Sequence, residues 1–254
     1  MAPLQITPVH PVLGARVEGV DLTAAVDDAT FRKIHDAFQE YSVLIFPGQR
    51  LTDAQQMAFT TRFGPLETTI KSIGQERRLH ENMVDLSNVD PKAEERLMGW
   101  NDRRMLYQSG NQLWHTDSSF KPVPAMASLL SGREVPPTGG ETEYVSMRHA
   151  HATLPAGLQR RLEGRVVVHS ILYSRSTIAK GLFDPEHEQE LPPVRRRSCG
   201  RTRSTGAKPS TSARTPGTSK VWTTRSRGGC STICWPTRRG PSASTSTAGR
   251  SGIS

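Results

Sequence analysis

His115 and Asp117 stand one residue apart in the stretch NQLWHTDSSF, residues 111–120. In an extended segment, alternate side chains point to the same face. An imidazole and a carboxylate at this spacing lie side by side, as two ligands of one metal ion. Neutral imidazole and carboxylate suit iron(II), and an open two-histidine, one-carboxylate site needs one further histidine. The other histidines, at 10, 35, 80, 149, 151, 169 and 187, read as structural or exposed positions. A lone His-x-Asp is also what an ordinary surface pair looks like, so the elements around it must decide.

Those elements are legible along the first three quarters of the chain. Residues 4–22, LQITPVHPVLGARVEGVDL, alternate apolar and polar side chains with turn residues between, which predicts short strands. In residues 27–41, Phe31, Ile34, Phe38 and Tyr41 recur at helical spacing. Residues 42–49, SVLIFPGQ, predict a short buried strand stopped by Pro47-Gly48. Thr52 and Gln55 have capping-box spacing, and Gly64 stops the helix they start. Residues 70–110 are polar and read as an irregular, mobile lid. Residues 125–147 read as two strands joined by a Pro/Gly turn, and residues 148–164 as a helix in two pieces broken at Pro155. Short strands with helices at the front and edge predict an α+β protein built on an antiparallel sheet.

Composition divides the chain. Residues 1–190 carry all 24 Asp and Glu and 20 of the 33 Lys and Arg; the other 13 basic residues follow position 190. All eight His lie at or before His187, and all three Cys (Cys199, Cys230, Cys234) lie after it. No run of about 18 apolar residues exists, so no membrane span is expected. The start, MAPLQITPVH, lacks a basic-then-apolar signal pattern, which gives a cytoplasmic expectation.

The segments GARVEGVDL, SVLIFPGQ, AFTTRFGPLE, NQLWHTDSSF, VPPTGGETEYVSMR and LPPV follow one another between about residues 5 and 194. In this order they resemble the taurine dioxygenase-like (TauD/TfdA) family of iron(II)/2-oxoglutarate-dependent dioxygenases, most closely its 2,4-dichlorophenoxyacetate branch. The resemblance implies a double-stranded β-helix, or jelly roll, with flanking helices. It implies Fe(II) as cofactor, 2-oxoglutarate and O₂ as co-substrates, and a small carboxylate such as an aryloxyacetate as substrate, hydroxylated and cleaved at its ether. His115 and Asp117 match the first two iron ligands. Thr142 matches a residue that hydrogen-bonds a 2-oxoglutarate carboxylate, though a threonine there also suits a sheet. Asn111 matches a position near the substrate and Lys71 a basic position for its carboxylate; a turn asparagine and a solvated loop lysine are the plainer alternatives. The resemblance also allows a homo-oligomer.

The family's second histidine lies far downstream, followed about ten residues later by an arginine that pairs with 2-oxoglutarate, a task suited to a fork of donors. Here no His follows His187, and Arg238, Arg239 and Arg250 stand in no matching context. From Ser198 on, the chain is mostly Ser, Thr, Arg, Gly and Pro. The genetic code suggests why. Taking the last base of each codon with the first two of the next turns Thr into His, Asp, Tyr or Asn, Ser into Leu, Val, Ile or Phe, and Arg into Ala, Pro, Thr or Ser. Read this way, the tail gives apolar strands, an amphipathic helix and a Trp-containing strand. STST at 244–247 becomes a Val-Tyr-Val-His type of strand. The expectation is a frame shift near Arg195–Arg197, with the distal ligands beyond Ser254.

The organisation read from sequence is therefore an incomplete oxygenase-like jelly-roll domain over 1–194, with C-terminal strands missing or disordered. An aberrant, frameshifted and disordered basic tail follows over 195–254. A chain with two iron ligands and no 2-oxoglutarate arginine is expected to have impaired activity and exposed strand edges. Two other functions stand as alternatives: an inactive pseudoenzyme, and a nucleic-acid binder that uses the basic tail. The second ranks low because Trp222 and Trp235 are the tail's sole aromatics. A zinc site from the three cysteines also ranks low, having no Cys-x₂-Cys pair and no nearby His.

Overall fold

The computed structural model describes residues 2–70, 79–90, 93–199, 221–224 and 245–246. Two strands open the chain, β1 (Gln5–Pro8) and β2 (Ala15–Glu18), paired antiparallel with Ile6 opposite Val17. Helix α1 (Asp28–Tyr41) starts where the Asp27 carboxylate accepts from the Thr30 backbone N–H, and ends at Ser42, whose φ of 65° turns the chain out of the helix. That turn feeds β3 (Leu44–Ile45), which lies parallel to β2. Helix α2 (Asp53–Thr61) carries the capping box foreseen from Thr52 and Gln55.

These elements bury one apolar cluster, Val17, Leu22, Ile34, Leu51 and Phe59. The Phe59 ring meets Phe31, Phe46 and Phe63 edge-on at 6.3, 5.9 and 5.6 Å, the arrangement that ring quadrupoles favour. Each such buried side chain stabilises the fold by about 1.5–3 kcal/mol.

The middle of the chain is more regular than the sequence predicts. Within residues 70–110, a two-stranded ribbon, β4 (Val89–Asp90) and β5 (Ala93–Leu97), precedes helix α3 (Arg103–Gln108). A 3-10 turn over Ser109–Gln112 follows. Asp102 caps α3 through its carboxylate, and the Arg104–Asp85 ion pair at 2.9 Å ties it back. Local charge pairing supplies the order that apolar periodicity does not.

Next come β6 (His115–Thr116) and β7 (Thr142–Val145). Residues 125–147 therefore contain one strand, not two. The first half of that stretch is held by α2 side chains instead of a neighbouring strand: Gln56 Nε2 donates to the Leu129 carbonyl at 3.3 Å, and Arg133 pairs with Asp53 at 2.8 Å. Helices α4 (Met147–Ala152) and α5 (Ala156–Leu162) flank Pro155, as the sequence predicts. Arg148 on α4 donates to the carbonyls of Gln39 and Glu40 and to the Ser42 hydroxyl, placing a cation on the carbonyl end of α1. Arg148→Ala is expected to lower unfolding free energy by about 1–3 kcal/mol, read as a shifted urea midpoint at unchanged slope.

The remaining elements are β8 (Val166–His169), α6 (Ile171–Ser176), α7 (Pro185–Glu190) and β9 (Val194–Arg197), with β8 and β9 paired antiparallel. Two strands lie in the tail, β10 (Val221–Thr224) and β11 (Thr245–Ser246), where the sequence predicts missing or disordered ones. Val-Trp-Thr-Thr is a β-branched and aromatic run that suits a strand. It fills the gap between two open edges, giving the order β11-β7-β10-β6. The rest of the expected disordered tail lies outside the described residues. Helix and strand are thus mixed, in separate sheets, and no helix among the described residues is long and apolar enough to cross a membrane.

Candidate metal centre

The 3-10 turn Ser109–Gln112 delivers the chain into β6, so His115 leaves the turn already extended. The strand stops at Thr116, and Asp117 is the first residue of the turn that follows, not a strand residue as its spacing predicts. Ser118 takes φ 57°, a left-handed conformation that L residues adopt at a cost of order 1–3 kcal/mol and that recurs at functional sites. Glu67 holds this turn: its carboxylate accepts from the Ser118 hydroxyl at 2.9 Å and the Ala125 N–H at 3.1 Å, and pairs with Lys121 at 2.5 Å.

His115 Nε2 and Asp117 Oδ1 lie 3.2 Å apart, with side chains 24% and 38% exposed. Two adjacent ligands of one octahedral divalent ion, each about 2.1 Å from it, are separated by about 3 Å. The pair fits that spacing and opens to solvent on one side. The atoms turned away from it are also engaged. His115 Nδ1 lies 2.6 Å from the Leu113 carbonyl, which accepts the Nδ1 proton and leaves Nε2 with its lone pair. Asp117 Oδ2 accepts from the Ser128 hydroxyl at 2.8 Å. Both donors are thus oriented by outer partners, as metal-ligating side chains are. No third His, Cys, Asp or Glu joins them among the described residues. If Ser128 orients the carboxylate, Ser128→Ala should weaken Mn(II) binding about tenfold while leaving the circular dichroism spectrum unchanged; an equilibrium dialysis isotherm reads this directly.

Thr142 begins β7. The register sets Tyr144 opposite Trp222 and Trp222 opposite His115. Cross-strand neighbours share a face, so Thr142, Tyr144 and His115 occupy the same side of the sheet. His115 and Tyr144 stand two strand spacings, about 10 Å, apart. Burial pushes the Tyr144 hydroxyl above the ordinary phenol range; a hydrogen bond with Thr142 opposes this and the negative charge of Asp117 adds to it. Asn111 sits in the 3-10 turn, where its carboxamide oxygen accepts from Arg175 Nη2 at 2.8 Å. Lys71 lies outside the described residues.

The sequence gives no sign of Ser128, Tyr144 or Arg175, because tertiary structure brings each of them to the neighbourhood of the pair. Arg175 comes from α6, 64 residues beyond Asn111. Burial pulls its pKa down, and the neighbouring Tyr107 and Asp117 push it back up.

The sequence model of the taurine catabolism dioxygenase TauD, TfdA family matches residues 5–247, and the chain belongs to that family. It is 39% identical over 191 residues to an alpha-ketoglutarate-dependent 2,4-dichlorophenoxyacetate dioxygenase of Cupriavidus pinatubonensis, a match covering 74% of this chain and 65% of the relative. It is also 39% identical over 173 residues to a (S)-phenoxypropionate/alpha-ketoglutarate-dioxygenase of Sphingobium herbicidovorans, covering 68% of this chain and 55% of that protein. The chain thus spans less than two thirds of either relative's length. Among solved structures, AAD-2 in complex with Mn(II) and N-oxalylglycine superposes with a TM-score of 0.70 at 34% identity, over 81% of this chain and 69% of that one.

Proposed function

We propose that this protein is an iron(II)- and 2-oxoglutarate-dependent dioxygenase acting on a small aryloxyalkanoate. The observation that carries the reading is the His115–Asp117 pair, 3.2 Å apart with both outer atoms engaged. Membership of the TauD, TfdA family and relatives that act on 2,4-dichlorophenoxyacetate and (S)-phenoxypropionate support the substrate class. The jelly roll is the fold proposed for the complete strand set.

His115 and Asp117 would hold the iron. The Leu113 carbonyl fixes the imidazole tautomer, and the Ser128 hydroxyl keeps Asp117 Oδ1 turned toward His115. Thr142, on the same sheet face, would donate to a 2-oxoglutarate carboxylate; Asn111 is the residue proposed to meet the substrate and Lys71 the one proposed for its carboxylate. Such a centre would supply oxidative decarboxylation of 2-oxoglutarate by O₂, giving succinate and CO₂, coupled to hydroxylation of an aliphatic C–H; on an aryloxyacetate the hydroxylated carbon would be a hemiacetal, whose carbon–oxygen bond to the ring breaks to give the phenol and glyoxylate. Two ligands hold a metal less tightly than three, so a centre built on the two ligands among the described residues would bind iron weakly.

The test is anaerobic titration of Fe(II) into the chain with 2-oxoglutarate, followed by addition of O₂ and 2,4-dichlorophenoxyacetate. A visible charge-transfer band that grows with iron and is lost in His115→Ala, then slow release of 2,4-dichlorophenol, is the expected result. A featureless spectrum at saturating iron, with no phenol formed, overturns the proposal.

The unusual composition of 195–254 belongs to the same reading. A shifted frame accounts for its Ser, Thr and Arg richness, its lack of acids, and the apolar strands recovered when the codons are regrouped. The coding DNA across codons 194–198 tests this, and an in-frame junction identical in length to that of intact relatives contradicts it.

A further inference from the structure

Gly110 is buried in the Ser109–Gln112 turn and takes no positive φ, so its backbone does not by itself call for glycine. Space does. A Cβ at this position would lie 2.2, 2.3 and 2.5 Å from Nη1, Cζ and Nε of Arg175, its three nearest atoms. The guanidinium thus lies directly against the turn. Its Cζ stands 4.9 Å from the centre of the Tyr107 ring, and its Nη2 donates to Asn111 Oδ1 at 2.8 Å. Arg175 is 7% exposed, and its buried Nε has no hydrogen-bond partner among the described residues. Burying a guanidinium with a donor unused is costly, and the cost calls for an explanation.

A short series of hydrogen bonds runs from that turn to the metal ligand. The Gly110 carbonyl accepts from the Leu113 N–H at 3.2 Å. The Leu113 carbonyl lies 2.6 Å from His115 Nδ1, the contact that leaves Nε2 its lone pair. A shift of Gly110 therefore moves Leu113, and with it the oxygen that sets the imidazole. The geometry points to Arg175 as a positioning residue for His115: from α6, its guanidinium clamps the segment from Tyr107 to Asn111 and so fixes the Leu113 carbonyl that orients the ring. This rests on the metal centre proposed above. A planar fork suits the task, since it lies against a ring, a glycine backbone and a carboxamide oxygen together, which a compact ammonium does not. The competing account is charge alone. Arg175 is near enough to Asp117 to feel its carboxylate, and a cation there repels a metal ion. Bracing and repulsion differ in sign, so removing Arg175 separates them.

The experiment measures Mn(II) affinity of the full chain by electron paramagnetic resonance, with urea midpoints taken on the same samples. Arg175→Leu, Arg175→Lys and Gly110→Ala are each expected to weaken binding about tenfold, the low end of the range for groups that stand behind metal ligands. Gly110→Ala added to Arg175→Leu should cost less than about a further twofold, because the clash is gone. Tighter binding by Arg175→Leu shows charge acting alone and overturns the inference, as does parental binding by Arg175→Lys. Lowered urea midpoints at unchanged affinity, the mark of a purely structural residue, overturn it too, and so do losses that multiply in the double variant. Should Arg175→Leu fail to fold, a folded Gly110→Ala decides: tenfold weaker binding upholds the brace and parental affinity overturns it. His115→Ala, measured alongside, tests the centre itself; if it binds as the parent does, the metal reading falls and this inference with it.

Discussion

His115→Ala is expected to lower divalent-metal affinity on the order of a hundredfold or more while leaving the fold intact. Outer partners of metal ligands are each worth 10–100-fold in affinity, and His115 is one of the two direct donors proposed among the described residues, so its loss should exceed that range. The fold is spared because the imidazole is partly exposed and takes no part in the apolar cluster. Asp117→Ala should act alike, with one difference: it also strands the Ser128 hydroxyl that donates to Oδ2. Dialysis against Mn(II) at fixed pH, with urea midpoints measured on the same samples, separates metal loss from unfolding. A variant that keeps parental affinity shows that the pair is an ordinary surface contact.

Phe59→Ala carries the largest expected effect on stability, about 3–5 kcal/mol. Phe59 is 5% exposed and meets three other aromatic rings edge-on, so its removal leaves a cavity among them. Against a total of about 5–15 kcal/mol for a folded domain, the variant should populate unfolded chain at moderate temperature. Urea unfolding monitored by tyrosine and tryptophan emission reads the shift. A loss below about 1 kcal/mol would mean that the cluster around α1 and α2 is not the principal core.

What was legible in the sequence follows the range over which each signal acts. Helix α2 is set by Thr52 and Gln55, three residues apart, and its capping box forms as the spacing dictates. The break at Pro155 is equally local. His115 and Asp117 are close in the chain, so their convergence could be read from two letters, although the strand ends one residue sooner than alternation suggests and Ser118 turns the backbone that follows. The partners of the pair were not legible. Ser128 is eleven residues from Asp117, and Arg175 is 64 from Asn111; no spacing rule connects them. The β4–β5 ribbon and α3 carry no apolar periodicity to read, because ion pairs such as Arg96–Asp90 and Arg104–Asp85 hold them instead. The first of the two strands expected within 125–147 did not form, and Gln56 on α2 holds that stretch instead through the Leu129 carbonyl and Arg133.

Electron paramagnetic resonance of Mn(II) added to the unmodified 254-residue chain, with 2-oxoglutarate present, counts bound ions most directly. One ion per chain, abolished by His115→Ala and by Asp117→Ala in proteins that keep the parental urea midpoint, is the result expected of a metal centre built on this pair. Equal ion binding in the parent and both variants would place the metal elsewhere and contradict it.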